Sequence, residues 1–122
     1  MGIVINFPLL ARAGFPLERY ASGKAIFDEG SKGDKMYVVI SGEVTIERAG
    51  KVVEALSAGD IFGEMALLDG TRRSAAARAK TDCEVAPITE KAFLLLVHDT
   101  PLFALTVMRT LAVRLRRANE RS

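Results

Sequence analysis

The chain has 122 residues, of which 49% are hydrophobic and 26% charged, with a formal net charge of +2. That length suits one domain able to bury its own core, and the mixture excludes a disordered chain. So small a net charge gives no global field for a nucleic-acid or membrane partner, and Cys83, the single cysteine, rules out an internal disulfide and favours a reducing compartment.

Met1 to Asn6 carry no basic region leading into an apolar core, so no signal peptide is expected. Asn at position 6, where myristoylation needs Ser or Thr, breaks that pattern as well. No apolar run nears the roughly 18 residues needed to span a bilayer. These readings predict a soluble, cytoplasmic protein without a membrane partner. Residues 7–15, with Phe7, Leu9, Leu10, Ala11, Ala13 and Phe15, are predicted as a short apolar helix set between Pro8 and Pro16.

From 20 to 88 the texture changes to short runs punctuated by glycine and turn residues. Met36–Ile40 is continuously apolar, as in a buried strand, whereas Val44 and Ile46 alternate with Glu43, Thr45 and Glu47. Ala49-Gly50-Lys51 predicts a hairpin. Strands this short and regular predict a β-sandwich or closed barrel. Cys83, in a strand-like segment, is expected to be a small buried hydrophobe.

The period becomes helical after 88. Thr89 is placed to cap a helix carrying Phe93, Leu94, Leu96 and Val97, which ends at His98-Asp99-Thr100-Pro101. The lone His98 reads as a helix-end charge, and a single histidine excludes the multi-histidine metal site of barrel enzymes. A second helix is predicted from Pro101 to about Asn119, with Leu105, Met108, Leu111, Ala112 and Leu115 as its apolar face and arginines opposite.

The chemistry concentrates in 62–75, Phe62-Gly63-Glu64-Met65-Ala66 through Arg73-Ser74-Ala75. Gly63 permits a tight turn, and Glu64–Leu68 is long enough for about one helical turn, which Gly70 ends. So short a helix adds little to a core but offers backbone N–H groups to an anion. Arg73, ten residues beyond Gly63, brings a permanently charged fork suited to phosphate oxygens, with the Ser74 hydroxyl beside it. Arg72 is expected to face solvent. A carboxylate at Glu64 would repel a bare phosphate, but it would accept a hydrogen bond from a ribose 2′-hydroxyl, so the set fits a ribonucleotide better than free phosphate.

Phe62-Gly63-Glu64-Met65-Ala66-Leu67-Leu68 with Arg73-Ser74-Ala75 resembles the phosphate-binding cassette of the cyclic-nucleotide-binding domain family. Gly33, Tyr37, Gly42, Val44 and Gly59 match the family's upstream spacing, and the arginine-rich last helix is similar to the bacterial activator branch. The resemblance implies a single domain over 1–122, mainly β with flanking α-helices: a double-stranded β-helix (jelly-roll) barrel over 20–88, and C-terminal helices over 89–120. It further implies that the backbone of Gly63 to Ala66, with Arg73, holds the cyclic phosphate of cAMP or cGMP. Glu64 would take the 2′-hydroxyl, Ser74 a phosphate or purine contact, Val53 an apolar wall for the purine and Asn119 a hydrogen bond to the base.

No nucleophile–base pair or metal cluster is apparent near the cassette, so a regulatory ligand is expected rather than a substrate, with no cofactor and no enzyme activity. The expected mechanism couples occupancy to movement of the C-terminal helix, which also offers a homodimer seam. An effector protein in trans, the sensory part of an activator-like transcription regulator, and a degenerate domain that binds no nucleotide are the alternatives. DNA binding by these residues themselves is not expected. The terminal arginines read as a solvated helix face, or else Arg114 reaches back to Glu64.

Overall fold

Met36 to Val39 are all buried because their strand is covered on both faces. Met36 and Val38 turn toward one apolar cluster, and Tyr37 and Val39 toward another. A strand alternates its side chains, so a continuous apolar run is what two covered faces require.

The computed structural model describes residues 16–121, so the helix expected at 7–15 lies outside them. The described chain forms β1 (Glu18–Tyr20), β2 (Ala25–Phe27), β3 (Lys35–Ser41), β4 (Val44–Arg48), β5 (Lys51–Leu56), β6 (Ile61–Phe62), α1 (Glu64–Asp69), β7 (Ala76–Ala79), β8 (Cys83–Thr89), α2 (Glu90–Asp99) and α3 (Leu102–Arg121). The strands make two antiparallel four-stranded sheets, in the orders β1-β8-β3-β6 and β2-β7-β4-β5. Between the sheets lies the cluster of Tyr37, Val39, Val44, Leu56, Phe62, Ala77, Ala79, Cys83 and Val85. The β4–β5 connection is the expected hairpin: Ala49 and Gly50 both have positive φ, 53° and 78°, which suits the twist of the paired strands. Cys83 is buried in β8, as expected.

The other face of the first sheet carries the helices. Met36, Val38, Ile61, Ala86 and Ile88 pack against Ala92 and Leu96 of α2 and Phe103 and Val107 of α3. Thr89 caps α2, its hydroxyl accepting from the Ala92 N–H at 3.2 Å. His98 lies exposed in the last turn of α2, 3.3 Å from Asp99. The chain then bends by 118° into α3.

The inward face of α3 departs from expectation. Of the expected face Leu111 packs against the core, together with Phe103 and Val107 at intervals of four, while Leu105, Met108, Ala112 and Leu115 are exposed. The expected stripe is apolar by period, but it is the neighbouring stripe of Phe103 and Val107 that meets the core. Periodicity gives the existence of an apolar face; which stripe packs inward is decided by the surfaces the helix meets. Among the described residues no single helix is long and apolar enough to cross a membrane.

Candidate functional site

Gly63 begins the site. Its φ of 73° and ψ of 14° are left-handed, and this lets the chain leave β6 and enter α1 within one residue. No side chain caps the N-terminus of α1, so its first amides are not spent on a cap. Gly70 closes the helix, its N–H donating to the Ala66 carbonyl at 3.0 Å. Asp69 then accepts from both the N–H (3.0 Å) and the hydroxyl (2.7 Å) of Thr71. These bonds hold the Asp69 carboxyl below its usual range and fix the loop that leads to Arg73.

That loop is tied to the one before β3: the Arg73 N–H donates to the Ser31 carbonyl, and the Arg73 carbonyl accepts from Gly30. The Arg73 side chain, 6% exposed, runs inward over the Phe27 ring, with Cζ 4.1 Å from its centroid. Nη1 donates to the Gly63 carbonyl and Nη2 to the Lys35 carbonyl, each at 2.8 Å. Nε is buried without a hydrogen-bond partner, and no carboxylate pairs with this guanidinium among the described residues. Burial lowers its pKa from the ordinary value, while Tyr37 and Asp34 pull the other way. It stays charged, because an arginine pKa starts so high. A buried cation held by two neutral carbonyls and an aromatic face, with no paired carboxylate among the described residues, is a costly arrangement that an anion would relieve.

Glu64, 4% exposed, stands at the first position of α1 and ion-pairs with Arg114 of α3 through Oε1 and Nη1. Arg114 also faces Glu54 of β5, from Nε at 3.3 Å and Nη2 at 3.4 Å, and donates from Nη2 to the Ile61 carbonyl at 2.7 Å. Of the two readings of the terminal arginines, Arg114 thus follows the second, reaching back to Glu64.

Between these groups lies a cavity of about 540 Å³, within the range of small-molecule sites. Phe62, Gly63, Glu64, Met65, Ala66, Arg73, Ser74, Ala75 and Val53, all expected from the sequence, line it together. Asn119 is exposed and is not among the lining residues; Ala118 is. Arg72 is exposed, with Nη1 bonded to the Gly30 carbonyl, though it borders the mouth. Sequence reasoning missed Phe27, Ile46 and Arg48, which reach the site from β2 and β4, and Glu54, Leu111, Leu115 and Arg117, from β5 and α3. Only the alternation of Ile46 along its strand offered a signal; the rest depend on how the sheet and α3 face one another.

A family model described as the cyclic nucleotide-binding domain matches residues 17–100. The chain belongs to that family. Over 115 residues it is 37% identical to the cyclic AMP receptor protein of Thermus thermophilus, covering 90% of this chain and 53% of that one. The crystal structure of the Thermus thermophilus catabolite activator protein matches with a TM-score of 0.81 and 36% identity, over 95% of this chain and 57% of the other. A structure reported for a cyclic-GMP-dependent signalling pathway in bacterial phytopathogenesis matches with a TM-score of 0.77 and 26% identity, over 96% and 98% of the two chains. This domain therefore has the jelly-roll fold of catabolite activator-like proteins, and it spans about half the length of the curated relatives it matches. Other curated relatives it matches are named as cAMP-activated global transcriptional regulators.

Proposed function

We propose that this domain binds a 3′,5′-cyclic nucleotide, cAMP ahead of cGMP, as a regulatory ligand, and passes its occupancy to α3. The observation that carries the reading is Arg73: a buried guanidinium without a carboxylate partner among the described residues, facing the first turn of α1 across from a buried acid. The cyclic phosphate would meet Arg73, Ser74 and the amides of residues 63–66, and Glu64 would accept from the ribose 2′-hydroxyl. Val53, Leu111 and Leu115 would give the purine apolar walls, whereas Asn119, expected at the base, stands outside this lining. The cyclic AMP receptor among the relatives supports cAMP, whereas the cyclic-GMP pathway relative keeps cGMP as the alternative.

A 2′-hydroxyl at Glu64 competes with Arg114, so occupancy changes what holds α3. The shift in α3 is limited by the difference in ligand affinity between its two positions. We take the site to bind without reacting, in a cytoplasmic protein. The exposed Leu105, Met108 and Leu115 provide a seam for a homodimer. The domain then serves as the sensor of a catabolite activator-like transcription regulator or acts on an effector protein in trans. The relatives named as cAMP-activated global transcriptional regulators favour the first.

Calorimetric titration with cAMP, cGMP and AMP tests this. Micromolar or tighter binding of a cyclic nucleotide is expected, and Arg73→Ala weakens it about 100-fold, as the loss of about 3 kcal/mol of charge-assisted bonding requires. Equal affinity for AMP would overturn the cyclic-phosphate reading.

A further inference from the structure

The C-terminal part of α3 has little apolar attachment. Phe103, Val107 and Leu111 anchor the helix to the core. Beyond Leu111, Arg114 is half-buried, while 112, 113 and every residue from 115 to 120 are exposed. The position of this helix end over the cavity therefore depends strongly on where the Arg114 guanidinium is held.

Two carboxylates hold it, and they are not equivalent. Glu64 meets Nη1 from inside the cavity, where the proposed ribose binds. Glu54, on β5, meets Nε and Nη2 with both of its oxygens and also lies 3.8 Å from Nη1 of Arg117, one turn further along α3. The Glu54 side chain is about as covered as that of Arg114, 25% exposed against 23%. Arginine cannot shed its charge, so when one acid is taken by another partner the guanidinium leans on the acid that remains.

We propose that Glu54 is a positioning residue that tethers α3 to β5 through Arg114, so that the helix end stays over the cavity while Glu64 exchanges partners. The regulatory meaning of this tether rests on the cyclic-nucleotide reading, but the tether itself does not. Glu64 senses; Glu54 holds.

Hydrogen exchange of the ligand-free chain, read on peptides covering 111–120, tests the tether. Glu54→Gln is expected to speed exchange there about fivefold to tenfold, as local opening becomes easier, and to leave β3 and β8 protected. Glu54→Asp, which keeps the charge on a shorter arm, should fall between. In an Arg114→Gln background Glu54→Gln should add only a small further change, from the longer contact to Arg117, because the main effect runs through Arg114. Exchange unchanged in Glu54→Gln, or an equal increase in the Arg114→Gln background, overturns the proposal. Should Glu54→Gln also expose β3 and β8, Glu54→Asp is measured by the same criteria. A separate cAMP titration of the unsubstituted chain keeps the two readings apart: absent binding sinks the ligand reading alone, whereas unchanged exchange sinks the tether alone.

Discussion

Gly33 lies directly against the Arg73 guanidinium, so that a methyl group on Gly33 would overlap Nε and Cζ of that side chain. The glycine comes from the loop before β3 and the arginine from the loop before β7, forty residues apart. Absence of a side chain at one position thus makes room for the functional group at the other. Gly33→Ala is expected to displace Arg73, raising the cyclic-nucleotide Kd roughly tenfold, or about 1.4 kcal/mol, with the fold retained. Calorimetry alongside far-UV circular dichroism checks both halves.

Arg73→Lys separates charge from shape. A lysine keeps the cation but cannot bridge the Gly63 and Lys35 carbonyls as a planar fork does. Binding should weaken about tenfold, less than in Arg73→Ala. At saturating cAMP the unsubstituted chain should gain about 2.7 kcal/mol at 100 times its Kd, and this stabilisation should largely vanish in Arg73→Ala. Thermal unfolding with and without ligand reads the difference.

Glu64→Gln should distinguish sugars. It removes the charged acceptor proposed for the 2′-hydroxyl, so cAMP is expected to bind roughly 10- to 100-fold more weakly. The affinity of 2′-deoxy-cAMP should change by no more than about twofold. Equal losses for the two ligands would remove Glu64 from the sugar contact.

Cys83 gives a pH signature. Burial, with a smaller push from Asp82, raises its thiol above the ordinary value of 9.0. The unfolded chain therefore loses this proton first, and the stability linked to the neutral thiol is present below pH 9.0 and lost as pH rises through the folded value. Unfolding free energy should fall more steeply between neutral and alkaline pH in the natural chain than in Cys83→Ala. Disulfide reagents should label Cys83 at the rate of opening, not at the rate of a free thiol.

Much of the site was legible because its parts are close in sequence. A glycine, an acid, one helical turn and an arginine within fourteen residues mark a candidate anion site, since local backbone geometry alone brings Gly63, Glu64 and Ala66 together. The strand run Met36–Ile40 and the Thr89 cap were readable for the same reason: a period and a cap are local properties.

Other features had no local signature. That Glu54 faces Arg114 across sixty residues depends on the register of β5 and the direction of α3. Likewise, that Phe103 and Val107 rather than Leu105 and Met108 pack inward on α3 depends on the sheet and α2 surfaces the helix meets. The sequence by itself determined the strand-rich barrel and the one-turn helix between Gly63 and Gly70, through short-range spacing and backbone preference, and its resemblance pointed to the family and to the proposed phosphate cassette. Only the tertiary structure decided that Arg73 is buried without a carboxylate partner among the described residues and that Arg114 closes over the cavity, because burial and charge pairing belong to surfaces that meet only once the chain has folded.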